Sequence, residues 1–215
     1  MQVLIENSDR ILGGFQTTLL LFVVCALSSA LLGTVLATLR VSPVATLRAA
    51  GATYVIVARN TPLVVVFVFI SFGLPVLDIQ FSHFLLAVVA LTLYTSAFVC
   101  EVLRSGVNAV NPGQAEAARS IGMTFGQTLS VVVLPQAFRT VVPPLASVFI
   151  ALAKNTAVAE AFGVREASYQ LDSLVRDHPT ALYALFFGIA SGYVIITLVL
   201  AGAARLVESK VAIAR

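Results

Sequence analysis

Charge is what this chain has least of. Only 11% of its 215 residues are Asp, Glu, Lys or Arg, and 59% are hydrophobic, whereas soluble domains carry about 25% charged residues. The mean hydropathy is +1.00. A soluble chain of this length could not bury so much apolar surface, so lipid must be the solvent for much of it. The composition predicts a single all-α membrane domain over residues 1–215.

The residue patterns of catalysis and of nucleic-acid binding are also missing. No glycine-rich loop ends in Gly-Lys-Ser or Gly-Lys-Thr, so the chain is not predicted to be an ATPase itself. His83 and His178 have no partner at metal-ligand spacing. Cys25 and Cys100 lie in apolar runs, which favour buried small hydrophobes over a disulfide or a metal site. No basic stripe is interleaved with aromatic residues. We therefore predict no catalytic residue, no metal and no nucleic acid.

Uncharged intervals predict five membrane-spanning helices. The stretch from Met1 to Gly14 lacks the pattern of a cleaved signal peptide, so the first span is expected to insert and stay. The fourth interval, between Arg139 and Lys154, encloses only 14 residues and contains Pro143-Pro144. It can span only if its helix begins near Pro135 and Lys154 lies at membrane depth. The spans are predicted at residues 15–39, 61–77, 84–101, 135–154 and 181–204.

The charged residues between the spans predict an orientation. With the amino terminus outside and the carboxyl terminus in the cytoplasm, nine of the thirteen basic residues fall on the inner side. Basic residues favour the cytoplasmic side of a membrane. The outer segment at about residues 160–180 is expected to be a short amphipathic helix and loop with a solvated face.

A polar interval between apolar runs carries the most informative pattern. Asn111 can cap a helix, Pro112 suits its first position, and Gln114 can reach back as in a capping box. The predicted helix covers about residues 112–124 and would place Glu116, Ser120 and Thr124 on one face. Such a helix is more than spanning a bilayer requires, so it is expected to contact a partner.

The residues after Asn111 keep a characteristic order. They run Glu116-Ala117-Ala118, then Gly122, then Val132, then Leu134-Pro135. This order resembles the EAA motif of permease subunits in bacterial ABC importers, with Val132 in the place of an Ile. Arg59-Asn60-Thr61-Pro62 and Lys154-Asn155-Thr156 extend the resemblance to the polar amino acid uptake branch, over about residues 10–210.

The resemblance implies a type I ABC importer permease fold with five spans and a cytoplasmic coupling helix. It implies that Glu116, Ala117, Ala118, Gly122, Leu134 and Pro135 couple the chain to a separate ATPase. That ATPase would bind ATP and Mg, so this chain needs no cofactor. The implied partners are two ATP-binding subunits, a second permease subunit and an extracytoplasmic amino-acid-binding protein. A loop helix lying on the membrane surface is the alternative for this segment, although more basic residues would then be expected.

Two other segments have more than one interpretation. Arg59, Thr61 and Pro62 either anchor the second span or act in gating or partner contact, with Thr61 as cap and Pro62 as first helical residue. Lys154, Asn155 and Thr156 resemble a segment that contributes to a substrate site. Lys154 could instead extend to the outer interface. Asn155 stands where the family commonly has an acidic residue, which favours glutamate, aspartate or glutamine over a cationic substrate.

Two other classes of function compete with the importer. An ion channel or ion-coupled carrier would need acidic residues within the spans, and the spans hold almost none. An intramembrane enzyme would need a nucleophile with a base, or metal ligands, at membrane depth. Glu101 and Arg104 are spaced to pair with each other on one helix, which needs no functional role.

Overall fold

The structure is a computed structural model that describes residues 2–211, and every regular element in that range is helical. Arg215, one of the basic residues counted on the inner side, lies outside the described residues. The elements in chain order are α1 (Gln2–Glu6), α2 (Ser8–Val41), α3 (Ala45–Asn60), α4 (Leu63–Val68), a π-helix (Phe69–Gly73), α5 (Leu74–Val76), α6 (His83–Asn108), α7 (Pro112–Ser120), α8 (Phe125–Gln127), a second π-helix (Thr128–Val133), α9 (Leu134–Asn155), a 3-10 helix (Thr156–Phe162), α10 (Ala167–Asp177), another 3-10 helix (Pro179–Ala181) and α11 (Leu182–Val211).

Four continuous helical stretches within residues 2–211 are long and apolar enough to cross a membrane. A fifth span is formed only if α3 and the segment Leu63–Val76 count together, and these two are bent by 107° relative to each other. The four continuous stretches are Ser8–Val41, His83–Asn108, Phe125–Phe162 and Pro179–Lys210.

The second span differs from its prediction. Pro62 is not the first helical residue: its backbone is extended (φ −59°, ψ 140°) and the helix begins at Leu63. Thr61 does not cap that helix, because its hydroxyl donates to the Val57 carbonyl, 2.8 Å away, at the end of α3. A residue before proline is disfavoured in helical backbone, which explains why the chain breaks here. Helix α3 was not predicted from the sequence.

The fourth span is longer than its uncharged interval. Helix α9 begins at Leu134, next to the expected start near Pro135. A π-helix leads directly into it, so the whole helical stretch runs from Phe125 to Phe162. Pro143 and Pro144 lie inside α9.

Helices α2 and α6 form the centre of the bundle. Leu21, Cys25 and Leu91 are fully buried between them and their neighbours. A Cβ atom at Gly33 of α2 would lie 2.6 Å from the Val99 side chain of α6, so only glycine permits this approach. Both cysteines are buried free thiols, in agreement with their prediction as small hydrophobes.

The bundle has two ends, which we name after the short helices that they carry. At the α10 end, Arg10 near the start of α2 pairs with Asp177 at 3.0 Å. The α7 end holds the carboxyl end of α6, the short helix α7 that follows it, and the bend after α3.

Candidate functional site: helix α7 and the α6–α9 groove

Helix α7 begins with the predicted cap. The side-chain oxygen of Asn111 accepts a hydrogen bond from the Gly113 amide at 2.9 Å, and Pro112 occupies the first turn. The predicted capping box is misplaced. Gln114 reaches Asn111 through its backbone amide, and the reciprocal side-chain box is formed instead by Thr124 and Gln127 at the start of α8.

The end of α7 explains Gly122. The amide of Gly122 donates to the Arg119 carbonyl at 2.9 Å, and the amide of Met123 donates to the Ala118 carbonyl at 3.1 Å. This is a Schellman motif, in which the residue after the cap is left-handed; Gly122 has φ +88°. The helix therefore ends at Ser120, not at 124. Thr124 does not share a face with Glu116 and Ser120, contrary to the prediction.

The surface around α7 is apolar and exposed. Ala118 faces inward and is 6% exposed, whereas Ile121 and Phe125 are 80% and 68% exposed. Glu116 and Ala117 are exposed beside them. Ile121 lies outside the four membrane-crossing stretches, and Phe125 is the first residue of one of them. Exposed apolar side chains beyond the lipid-facing part of a span commonly mark a contact with another protein. We call Glu116, Ala117, Ile121 and Phe125 the α7 patch.

A helical segment joins the α7 patch to the fourth span. Leu134 and Pro135 form the first turn of α9, directly after the π-helix Thr128–Val133. Proline has no amide hydrogen to donate within a helix, and the wider turn ahead of it keeps the segment helical. Phe125 of the α7 patch begins the continuous helical stretch that contains α9, so movement of the patch can reach α9 through Phe125.

A cluster of charges lies at the α7 end. Glu101 of α6 pairs through Oε2 with Arg40 of α2 and through Oε1 with Arg104 of α6. Arg59 of α3 approaches the same carboxylate, with Nη1 3.8 Å from Oε2. Three arginines thus surround one glutamate. The Glu101–Arg104 pair was predicted, but Arg40 and Arg59 were not expected to join it.

One face of α6 and one face of α9 line a groove between the two ends. At the α7 end a cavity of about 380 Å³ is lined by Arg59, Phe98, Glu101, Thr140 and Pro144, among others. At the α10 end a cavity of about 270 Å³ is lined by Tyr94, Thr95, Ser147, Ala151 and Asn155, among others. Phe98 and Val148 belong to both linings. Along α9 the groove spans about 22 Å between residues 140 and 155, at 1.5 Å per residue.

The segment Lys154-Asn155-Thr156 has three different environments. Asn155 lines the groove. Lys154 is exposed. Thr156 is fully buried, and its hydroxyl donates to the Ala153 carbonyl at 2.8 Å. Of these three residues, Asn155 is the one for which the structure gives a place in the groove lining.

A buried carboxyl group ties the helices together at the α10 end. Glu166 is fully buried and caps α10 by accepting from the Tyr169 amide at 3.0 Å. Its other oxygen accepts from the hydroxyls of Thr18 and Tyr193. Burial raises the pKa of Glu166, and the hydrogen bonds from Tyr193, Tyr169 and Thr18 oppose part of that rise. A solvated face was expected here, which is wrong for Glu166.

A bundle of apolar helices with a capped, exposed helix at one end and a groove that contains a few polar side chains is the architecture of a membrane transport component. Residues 12–213 match the family described as "Binding-protein-dependent transport system inner membrane component", and the chain belongs to that family. It is therefore a multi-pass permease component of an ABC transporter in the inner membrane. A partner ATPase binds ATP, a binding protein serves the system, and this chain is not itself the catalyst.

Individual relatives agree with this assignment. The chain is 42% identical over 205 residues to the glutamate transport system permease protein GluC of Corynebacterium efficiens, with 90% of each chain covered. It is 34% identical over 210 residues to the probable glutamine ABC transporter permease protein GlnM of Bacillus subtilis, covering 98% and 97%. A solved amino acid ABC transporter with histidines superposes with a TM-score of 0.90 at 29% identity, over 96% of each chain. The predicted helical permease fold is confirmed.

Proposed function

We propose that this chain forms the translocation pathway of an importer for acidic amino acids or their amides, most directly glutamate, aspartate and glutamine. The names of GluC and GlnM support this substrate class. The lining of the groove supports it as well. Among the residues that the structure describes, Glu101 is the one carboxylate lining the two groove cavities, and arginines already neutralise it. A cationic substrate would find no free carboxylate there, while Asn155 can bond a neutral or anionic solute.

In this proposal the α7 patch contacts the ATPase. Asn111 and Gly122 fix both ends of α7, so the helix can move as a rigid unit. Glu116 supplies a charge beside the apolar anchors Ile121 and Phe125. This exposed patch, which lies ahead of the fourth span and reaches its first residue, is the observation that carries the coupling role. The small side chain of Ala117 would allow the ATPase to approach closely, while Ala118 packs inward. Leu134 and Pro135, at the start of α9, would move with the patch.

The proposed orientation places the α7 end in the cytoplasm. The basic residues Arg40, Arg48, Arg59, Arg104, Arg119, Arg139 and Arg205 support this placement, since cytoplasmic segments are enriched in arginine and lysine. The amino terminus then faces outward. The binding protein would dock at the α10 end, and two ATP-binding subunits would contact the α7 patches of this chain and of a second permease subunit. A solute would pass between the two permease subunits.

Transport then follows from a choice between two states. ATP binding closes the ATPase and displaces α7, and α9 tilts against α6 so that the groove opens to the other side. The ligand changes the equilibrium only by its different affinity for the two states. Lys154 and Thr156 would support the α10 end of the pathway beside Asn155. Thr61 and Pro62 would serve as the elbow that lets the second span move.

Reversing the charge of Glu116 tests the coupling. We expect Glu116→Lys to insert normally but to lose ATPase association or coupled uptake, because like charges and a longer side chain would disturb the contact. Glutamate uptake and ATP hydrolysis should be measured in proteoliposomes with the purified ATPase and binding protein. Glu208→Lys, the same charge reversal on α11, is the control. Full uptake by the Glu116 variant would contradict the coupling role of Glu116.

Competition among glutamate, glutamine, aspartate, arginine and histidine for uptake by the wild-type complex tests the substrate class.

A further inference from the structure

We propose that Arg59 is a carboxylate-binding residue at the α7 end of the groove, which exchanges Glu101 for a carboxylate of the transported amino acid. This inference rests on the proposed function and makes it more specific. It assigns a second contact for the solute, beyond the segment around Asn155, and it names the chemical group that the contact recognises.

Arg59 is the most loosely held of the three arginines. Arg40 and Arg104 are hydrogen-bonded to separate oxygens of Glu101. Arg59 lies 3.8 Å from Oε2, which is beyond hydrogen-bond distance. The side chain of Arg59 is also the most exposed of the three arginines, at 44%, compared with 16% for Arg40 and 31% for Arg104. If Arg59 moves away, Glu101 remains paired with two arginines, so its carboxylate is not left without a partner.

Arg59 also stands at a boundary between cavities. Its guanidinium carbon lies 5.5 Å from the centroid of the Phe98 ring, a distance typical of a cation–π contact. Arg59, Phe98 and Glu101 line both the groove cavity of about 380 Å³ and a neighbouring cavity of about 350 Å³, which reaches Arg40 and Asn60. A solute that moves along the groove past Phe98 therefore meets Arg59 next.

The charges favour an anionic group at this point. Three arginines and one glutamate give the cluster a net charge of +2, and one guanidinium is without a hydrogen-bonded carboxylate. A guanidinium presents parallel N–H groups that match a carboxylate in bidentate fashion. Every amino acid has an α-carboxylate, and glutamate and aspartate have a second one. The same surplus of positive charge would repel a cationic side chain.

The elbow after α3 allows the exchange to be linked to transport. Arg59 is in the last turn of α3, two residues before the break at Thr61-Pro62, where the helical direction changes by 107°. A change of that angle would move Arg59 relative to α6, and Glu101 would take back the guanidinium as the solute leaves. Arg59 thus binds the solute carboxylate when the elbow has one angle, and it pairs with Glu101 when the elbow has the other.

Ligand binding to the assembled permease–ATPase complex tests this exchange. Nanodisc complexes would carry an environment-sensitive fluorophore on A109C, at the rim of the cavity; Cys25 and Cys100 are buried and leave little background. Glutamate and the diamide of glutamic acid, which has no carboxylate, are the two probes. Arg59→Gln should weaken glutamate binding about tenfold, the size expected for losing a charged hydrogen-bonding partner. Arg59→Lys should weaken it less, because it keeps the charge without the fork. Binding of the diamide should change with neither.

Two further variants separate exchange from a purely structural ion pair. Arg48→Gln is the matched control, since Arg48 also belongs to α3 but bonds the Ser42 carbonyl at 2.9 Å; it should bind glutamate like wild type. Glu101→Gln should strengthen glutamate binding, because it removes the competitor for Arg59. If Arg59→Gln and Glu101→Gln weaken binding alike, or if Arg59→Gln binds like wild type, the inference is overturned.

Assembly of each variant with the ATPase is checked first by size-exclusion chromatography. If Arg59→Gln does not assemble, Arg59→Lys is the deciding variant. The inference is overturned if this variant binds glutamate as tightly as wild type does and also binds the diamide as wild type does. Failure of the proposed function has a different signature, since the wild-type complex would then transport none of glutamate, aspartate and glutamine.

Discussion

Glu166 shows what a single residue contributes at the α10 end. Its carboxyl group has no arginine or lysine among its hydrogen-bonding partners and is held by Thr18 of α2, Tyr169 of α10 and Tyr193 of α11. Because burial raises its pKa, the folded protein retains the proton to a higher pH than the unfolded chain. The associated stability is fully present below the ordinary carboxyl pKa and is lost as the pH rises through the raised value.

We predict that Glu166 makes the stability of the protein depend on pH, and that a neutral side chain at this position removes the dependence. The thermal midpoint of wild type should rise as the pH is lowered from about 7 to about 4, relative to that of Glu166→Gln. Glu6→Gln, which removes an exposed carboxyl group at the same end, is the control and should follow wild type. A wild-type curve parallel to that of Glu166→Gln across the whole range would refute the assignment. Glu166→Ala should cost about 1–3 kcal/mol for each partner left buried without a hydrogen bond.

At the scale of elements, the contact between α2 and α6 depends on a missing side chain. A Cβ atom at Gly33 would lie 2.6 Å from Val99 and 2.9 Å from the Ser96 carbonyl oxygen. The second of these is backbone and cannot rotate away. In lipid there is no hydrophobic drive between helices, so close packing of this kind holds them together.

Gly33→Ala should therefore separate α2 from α6 and destabilise the permease by about 1–3 kcal/mol, as overpacking does elsewhere. Gly13→Ala is a matched control on the same helix, since nothing lies within 4 Å of a Cβ atom there. We expect this control to be neutral or mildly stabilising, because alanine favours helix over glycine. Unfolding in a graded denaturant series would measure both, and equal midpoints for the two variants would be inconsistent with this packing.

Hydropathy predicts the long membrane-crossing helices but does not predict α3 or the bend that follows it. Runs without charge located α2, α6, α9 and α11, because a lipid-exposed helix must be apolar along its length. Helix α3 was missed because Arg48 and Arg59 interrupt its apolar residues. The short second span could not be told from a straight one, since the 107° angle is set by packing around Thr61 and Pro62 and not by local composition.

At the scale of the whole molecule, the charges give the two ends different characters. Arg40, Arg59, Arg104 and Arg119 lie towards the α7 end, while Asp177 and Glu166 lie at the α10 end. The motifs allowed prediction of α7 and its cap, because these features are local in sequence. The cluster around Glu101 could not be predicted in full, since its arginines come from three helices. One signal was available: the span boundaries next to Arg40, Arg59 and Glu101 were all predicted to lie on the inner side of the membrane.

The proposed sidedness predicts opposite labelling of two exposed positions. Thr180→Cys at the α10 end should react with a membrane-impermeant maleimide on the outer face of sealed, right-side-out vesicles. Ser120→Cys on α7 should react only in inverted vesicles. The parent protein is the control, because Cys25 and Cys100 are buried. The reverse pattern would show that the α7 end faces outward and would exclude its contact with a cytoplasmic ATPase.

The π-helix at Thr128–Val133 sets how many residues separate Gly122 from Pro135. Its hydrogen bonds run from i to i+5, so this turn holds more residues than an α-helical turn. Deleting one residue from it would restore α-helical winding and leave the segment ahead of it, Phe125–Gln127, facing nearly the same direction around the axis of α9. The same deletion within α9, which is already α-helical, would rotate that segment by about 100°. A chain shortened by one residue should therefore keep the orientation of Ile121 and Phe125 when the residue is lost from the π-helix, and lose it when the residue is lost from α9.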